Sequence, residues 1–307
     1  MSIEYAIVVK QPTQLEQLLT RFHTRAQAAF YLERQGLDIQ EAVEAHDTYH
    51  AALSSLQHNL DTFLKHKLLD REFLPNFQFA SNQVILVLGQ DGLVANTAKY
   101  ALGRPIIGIN PDPTRFDGPL LPFRVANTHR VVEAVISGQA SMKRTQFAEA
   151  ILQHGQRLLA FNDLFIGAES HVSARYRLNY HGQVEDHSSS GIIVSTEMGQ
   201  TGWMSSMFNM IQSGNRWLGQ TQEREIQPSI GRGELLFAVR EPFRSQRTGI
   251  SMTMGQIQGE VELRIESQMA QGGVIFSDGI QQDRLSFNRG DVATIRVADE
   301  GANLVVA

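Results

Sequence analysis

The chain has 307 residues, of which 42% are hydrophobic and 19% charged, with a formal net charge of −5. That length supports two domains with a core each, and no run of Lys or Arg is long enough for a nucleic-acid footprint. Without a single cysteine, disulfides, thiolate zinc sites and thiol catalysis are excluded. The sequence shows no signal peptide and no apolar stretch of membrane-spanning length, so a soluble cytoplasmic protein is the default expectation.

The first predicted element is a strand from Tyr5 to Lys10. Thr13 and Glu16 then fit a capping box, with the Thr13 hydroxyl accepting a helix N–H and Glu16 reaching back. Leu15, Leu18, Leu19 and Phe22 follow at helical spacing. A long helix is expected from Ile39 to about Lys65, with Ala42, Val43, Leu53, Leu56, Leu60 and Phe63 as candidate buried positions. His46 and His50 stand one turn apart on it, a spacing that can bind metal. No acidic third ligand is evident in the sequence, a solvated pair is the plainer reading, and no protein-borne metal site is assigned.

Pro75 and Asn76 break the helical pattern ahead of Val84, Ile85, Leu86, Val87 and Leu88. An unbroken apolar run of this kind reads as a strand buried on both faces, as in a parallel sheet under helices. It leads straight into Gly89, Gln90, Asp91 and Gly92, and a helix-compatible segment from Val94 to Leu102 follows. Such a turn opens at the carboxyl end of the sheet, where α/β proteins bind ligands. Glycines let the backbone approach a ligand, and the N–H groups of the next helix favour phosphate. Asp91 is a carboxylate where a phosphate would sit. That placement suits a base taking a proton from an attacking hydroxyl, or a partner of Mg²⁺; a tight Asp-Gly turn is the structural alternative.

A further strand runs from Pro105 to Asn110, and the alternation of strand and helix predicts a parallel sheet. The character changes near Phe123. One more helix is expected around Met142 to Leu159. Short strands follow at Arg175 to Tyr180, turning at His181-Gly182, and at Gly191 to Ser195, Glu234 to Arg240, Glu260 to Glu266, Gly273 to Phe276 and Val292 to Val297. Asp278-Gly279 is a strong hairpin signal. The division expected is an α/β domain over residues 1–124 and an all-β domain over 125–307. Arg240, Arg244 and Arg247 form a cluster that could meet phosphates, although a solvated surface is the preferred explanation. Trp203 and Trp217 are core residues or stacking platforms.

Gly89-Gln90-Asp91-Gly92 resembles the Gly-Gly-Asp-Gly signature of the NAD kinase superfamily, which also includes diacylglycerol-type lipid kinases. Three further segments stand in the family's order and spacing. Pro105 to Asn110 looks like its next strand and continues into Asn110-Pro111-Asp112-Pro113, a loop closer to the mitochondrial-type branch. Phe161, Asn162 and Asp163, with the apolar residues up to Gly167, resemble the family's Asn-Glu pair and strand. Ser188 to Trp203 parallels its Ser-Thr-x-x-Gly-Ser-Thr-Ala-Tyr stretch, and Leu235 to Phe243 and Phe276 to Gly279 fit the same pattern. The resemblance runs from about residue 80 to the end.

The resemblance implies an α/β nucleotide-binding domain followed by a β-sandwich-like NAD-binding domain, with the active site between them. It implies an ATP-dependent NAD kinase that phosphorylates the 2′-hydroxyl of the adenosine ribose of NAD, with Mg²⁺ accompanying ATP. Asp91 is then the catalytic base. Gly89 and Gly92 would hold phosphate oxygens, Asn162 and Asp163 would bond the ribose or adenine of NAD, and Thr196, Thr201, Gly202, Trp203 and Ser206 would line the nucleotide pocket. In this family a neighbouring subunit completes that pocket, so a homodimer or homotetramer is implied, with no nucleic-acid or membrane partner.

Four departures from the family pattern stand out: Gln90 for Gly, Leu93 for Thr, Asp163 for Glu and Gln200 for Ser. If Gln90 needs positive φ, it costs on the order of 1 kcal/mol. The departures leave open a kinase of a lipid or sugar acceptor and a non-catalytic NAD(P)-binding protein. Family members often end in a helical tail that returns to the first domain, and no such tail is evident here.

Overall fold

The computed structural model describes residues 3–220 and 227–307. The chain divides into two compact units, Met1–Arg144 with Ala302–Ala307, and Thr145–Gly301. In chain order the first unit contains β1 (Tyr5–Lys10), α1 (Gln14–Phe22), α2 (Arg25–Glu33), α3 (Ile39–Asp61), β2 (Lys65–Asp70), β3 (Gln83–Leu88), α4 (Asp91–Ala101), β4 (Pro105–Asn110), the short β5 (Phe123–Arg124) and α5 (Thr128–Ile136).

Its sheet runs β4-β3-β1-β2 with every pairing parallel, Tyr5 lying opposite both Lys65 and Gln83, and Ile85 opposite Ile106. Side chains alternate across it, as strand geometry requires. Ala6, Val8, Val84, Leu86, Leu88, Ile107 and Ile109 pack on Leu53, Leu56 and Leu60 of α3 and on Val131, Val132 and Val135 of α5. The intervening Ile7, Val9, Ile85 and Val87 are also buried, and α4 packs along β3 and β4. Two-sided burial explains the unbroken apolar run of β3.

The capping box at Thr13 and Glu16 forms as expected. The helix expected to reach Lys65 ends at Asp61, and Lys65 to Asp70 forms edge strand β2. Its polar start, Lys65-His66-Lys67, hid it from the apolar pattern. Helix α2 was also unanticipated; Thr24 caps it, and its Ala28 and Leu32 share a small core with Leu18.

Helix α5 is part of the first core, so the division falls at Arg144 and not at the expected residue 124. The return to this unit is made by a strand, not by a helical tail. Asn303 and Leu304 pair with Pro105 and Ile106 of β4, and Val305 joins the core.

Among the described residues, the second unit is β apart from α6 and the helical turn at Gln200–Met204 that leads into it. It contains most of β6 (Met142–Leu152), then β7 (Arg157–Ala160), β8 (Asp163–Ala168), β9 (Ala174–Tyr180), β10 (Gln183–Ser189), β11 (Ile192–Ser195) and α6 (Ser205–Trp217). After these come β12 (Glu234–Val239), β13 (Met254–Gln258), β14 (Leu263–Ser267), β15 (Gly273–Ser277), β16 (Ile280–Ser286) and most of β17 (Val292–Val305). One sheet is six-stranded and antiparallel, in the order β13-β12-β11-β8-β15-β16. The other orders β10-β9-β14-β17, with β6 beside β17 and β7 beside β6. Leu164, Ile166, Val194 and Phe237 from the first meet Ala148, Tyr176, Ile265 and Ile295 from the second in one core, which makes a sandwich.

The helix expected over residues 142–159 is the hairpin β6–β7, with Ala148 opposite Ala160 and a turn at Gly155 in the left-handed region. Phe147, Ala148, Glu149 and Ala150 are buried in succession. Burial on both sides of the strand outweighs the helix propensity of Ala and Glu. Among the described residues, no helix is long and apolar enough to cross a membrane.

Candidate functional site

In a parallel sheet the carboxyl ends of the strands share one edge, and ligands bind where the winding changes direction. Here that point lies between β1 and β3, since β2 continues on one side of β1 while β3 and β4 continue on the other. A cavity of about 380 Å³ opens there, lined by Gln11, Thr13, Tyr49, Gly89, Gln90, Asp112 and Arg115 among others. Tyr49 donates its hydroxyl to the Leu88 carbonyl at 3.2 Å, and burial pushes its pKa well up.

Asp91 is the first residue of α4, and Gln90 is its N-cap, with φ −112° and ψ 165°. That conformation is extended, so the condition for a cost at Gln90, a positive φ, is not met. A Cβ at Gly89 would lie 3.0 Å from Leu93 Cδ2, a tight contact with a buried side chain. Gly89 N–H bonds the Ile109 carbonyl at 3.4 Å, and Leu93 N–H bonds the Gln90 carbonyl at 2.9 Å. Among the described residues, the Asp91 and Gly92 N–H groups make no backbone bond. The turn therefore offers those two amides to an anion, and the Gly89 amide assigned from sequence is already engaged. A Cβ at Gly92 would meet open space.

The Asp91 carboxylate is half-buried. Its Oδ1 accepts the Leu120 N–H at 3.0 Å, and Oδ2 makes no hydrogen bond among the described residues. Burial pushes its pKa up, and the Leu120 bond draws it partly back. Asp91 is not one of the residues lining the cavity beside it.

The loop after β4, which supplies the Leu120 N–H, satisfies its own polar groups. Asn110 donates to the Phe116 carbonyl at 2.8 Å and accepts the Asp112 N–H at 3.0 Å. Asp112 accepts from the Thr114 amide and hydroxyl and pairs with Arg115 at 3.3 Å. Gly108 has no room for a Cβ, because the Leu120 carbonyl oxygen occupies that space, and a Cβ at Gly118 would lie 2.7 Å from Asp91 Oδ1.

In the second unit, Asn162 and Asp163 sit at the start of β8. Asp278, in the β15–β16 turn at φ 53°, accepts the Phe161, Asn162 and Asp163 N–H groups at 3.0, 2.6 and 3.3 Å. Among the described residues, Asp163 Oδ1 is buried without a hydrogen-bond partner. Burial raises the Asp163 pKa to about 7; a Ser195 bond lowers it and the Asp278 charge raises it further. An unpartnered buried carboxylate oxygen is the kind of group that a ligand satisfies.

Thr196 is placed differently from its sequence assignment. It is buried, its hydroxyl donates to the Phe161 carbonyl at 2.6 Å and accepts from the Met198 and Gly199 amides, and its own N–H bonds the Asn162 carbonyl. It ties β11 to the Asn162 turn and has no hydroxyl left for a nucleotide.

Thr201, Gly202, Trp203 and Ser206 lie at the head of α6 and are exposed. Met204 and Met207 anchor that head on Ile193 and Ala238 of the six-stranded sheet. Trp203 stacks on Phe165 at 5.8 Å and 3°, Phe165 stacks on Phe276 at 4.8 Å, and the Arg240 guanidinium lies 5.2 Å from the Trp203 ring centre. These four residues help to line a cavity of about 470 Å³, together with Glu169 and Arg284. Asn162, Asp163 and Thr196 are not part of its lining, so the residues grouped from sequence form two clusters in this unit. Trp217 is fully on the surface, and Arg244 and Arg247 are exposed.

Sequence reasoning missed the Leu120 amide, the threefold acceptor role of Asp278 and the aromatic platform. Asp278-Gly279 was legible as a hairpin turn and as part of the family pattern, but not as the acceptor of three amides. The reading that no acidic residue accompanies His46 and His50 is also corrected, since Glu16 of α1 stands beside them.

No protein-family model matches the chain, and no curated protein matches it by sequence. Solved structures do. The chain is similar to yeast NADH kinase in complex with NADH, with a TM-score of 0.63 and 15% identity over 100% of this chain and 84% of that one. It is also similar to an NAD kinase from Archaeoglobus fulgidus in complex with ATP, with a TM-score of 0.55 and 16% identity over 98% and 93% of the two chains. At these identities the likeness establishes the fold.

Proposed function

We propose that this chain, built on the fold of the NAD and NADH kinases, is itself an NAD kinase, closest in its motifs to the mitochondrial-type branch. It would transfer the γ-phosphoryl group of ATP to the 2′-hydroxyl of the adenosine ribose of NAD. The observation that carries this reading is Asp91. It heads α4 at the carboxyl edge of the parallel sheet, with one carboxylate oxygen held by the Leu120 N–H and the other unpaired among the described residues. Burial raises its pKa, which strengthens it as a base toward a hydroxyl.

Phosphoryl transfer needs an aligned acceptor, neutralised charge and removal of the hydroxyl proton. Asp91 Oδ2 accepts that proton. The Asp91 and Gly92 amides, at the positive end of α4, favour phosphate oxygens. Mg²⁺ would enter with the triphosphate and supply the charge neutralisation. Asn162 and Asp163 are assigned to the hydroxyls of NAD, on the strength of the unpartnered Asp163 Oδ1. Thr196 is reassigned to positioning the Asn162 turn. Trp203, with Thr201, Gly202 and Ser206, offers a stacking surface for a base. A homodimer or homotetramer and a cytoplasmic setting belong to the same reading.

The test incubates the protein with NAD, ATP and Mg²⁺ and measures NADP with an NADP-specific dehydrogenase, with NADH and polyphosphate in parallel arms. NADP formation that is lost in Asp91→Asn supports the reading. Absence of NADP, or turnover equal to that of the variant, refutes it.

A further inference from the structure

We propose that Glu16, His46 and His50 form a binding site for a zinc-class divalent ion, which clamps the start of α1 to α3. His46 and His50 lie one turn apart on α3, with ring centres 4.3 Å apart. Glu16 stands at the third position of α1, and its Oε1 lies 3.2 Å from His50 Nε2. One ligand atom from each of the three residues lies within 4.8 Å of the other two. Bonds of about 2.1 Å to a tetrahedral ion put ligand atoms roughly 3.4 Å apart. The Glu16–His50 separation already matches that spacing, and small side-chain rotations bring in His46.

Three features separate this cluster from an ordinary solvated helix face. All three residues are half-buried, so their side chains are partly ordered by the packing of α1 on α3. The other carboxylate oxygen of Glu16 is fixed by the Thr13 N–H at 2.7 Å, which leaves Oε1 pointed at His50. The Thr13 hydroxyl lies 2.8 Å from His46 Nδ1, the kind of outer contact that orients a metal-bound imidazole. The capping box thus serves both to start the helix and to hold two of the ligands.

The donor set selects the ion. Two imidazoles and one carboxylate suit zinc, cobalt or nickel, whereas magnesium and calcium require oxygen. This ion is therefore distinct from any Mg²⁺ carried by a triphosphate, and the site stands or falls independently of the kinase assignment. Two histidines and a glutamate leave a fourth position for water or another ligand. Thr13 belongs to the site's outer shell and also lines the cavity at the Gly89 turn, so filling the site would stiffen one wall of that cavity.

The full chain, stripped of metal, is titrated with ZnCl₂ by calorimetry, and Co²⁺ is used as a spectroscopic probe. One ion should bind per chain with micromolar or tighter affinity, and Co²⁺ should give the visible absorption of a four-coordinate ion. His50→Ala and His46→Ala should each weaken zinc at least tenfold, whereas His58→Ala, on the same helix and exposed, should leave it unchanged. Zinc should raise the thermal midpoint of the wild type but not of His50→Ala. Absence of binding overturns the proposal. So does equal affinity in the His46→Ala/His50→Ala double variant, which would place the ion on others of the ten histidines. Displacement of zinc by millimolar Mg²⁺ would also overturn it.

Discussion

Asp91 has two tasks that a single atom change can separate. Its Oδ1 accepts the Leu120 N–H, and its Oδ2 is the proposed base. Asp91→Asn keeps an acceptor for Leu120 and abolishes basicity, so kcat should fall by about 10²–10⁴ with KM nearly unchanged. Asp91→Ala should lose the same activity and, in addition, about 1 kcal/mol of stability in urea titrations, because the Leu120 amide loses its partner. Similar stability loss in both variants would show that the anchor is not Oδ1. Asp163 carries a second test. Its folded pKa, about 7, lies above its ordinary value of 3.8 because of burial. The folded state therefore holds a proton that the unfolded state releases, and stability from this group is present below about pH 4 and lost as pH rises toward 7. Asp163→Asn should be more stable than the wild type, with an advantage on the order of a few kcal/mol that grows between pH 4 and 7 and then levels. A stability difference that stays flat across that range would mean that the carboxylate ionises freely in the fold.

At the scale of the element, the loop after β4 determines how Asp91 is held, and Gly108 determines how close that loop comes. The Leu120 carbonyl occupies the space of a Gly108 side chain. Gly108→Ala must push the loop away and draw the Leu120 N–H off Asp91, although neither reacting residue is altered. Turnover should drop by tenfold or more, with about 1–3 kcal/mol of destabilisation, both read on the purified variant. Undiminished turnover would show that the loop does not position the base. The sequence made β3 and its turn legible because five consecutive apolar residues and two glycines are local signals. The loop's grip on Asp91 was not legible, because it depends on a backbone amide 29 residues away. The same holds for Asp278, whose bonds reach back 115 to 117 residues, and for Glu16, which packing brings to a histidine 34 residues further on. Hairpin β6–β7 was misread for a different reason: Ala and Glu signal helix locally, and only two-sided burial overrules them.

At the scale of the whole molecule, the first unit is discontinuous in sequence. The chain leaves it at Arg144 and re-enters at Ala302. The last residues close the outer edge of β4 through Asn303 and Leu304, and Leu304 and Val305 are buried at 7% and 3% exposure. A sheet edge left open beside β4 would lose both its hydrogen-bond partners and this apolar cover. Burial of each aliphatic side chain contributes about 1.5–3 kcal/mol, so deleting residues 302–307 should destabilise the first unit by about 3–6 kcal/mol. The second unit keeps the pairing of β17 with β14, from Val292 opposite Glu266 to Ile295 opposite Leu263, because it lies before the cut. Hydrogen exchange distinguishes the two regions. In the truncated chain the amides of β4 should exchange much faster, while those of β8, deep in the sandwich, should keep their wild-type protection. Unchanged protection in β4 would mean that the parallel sheet closes without its returning strand. Equal loss in β4 and β8 would mean that the two units unfold as one cooperative body, with the final six residues holding both.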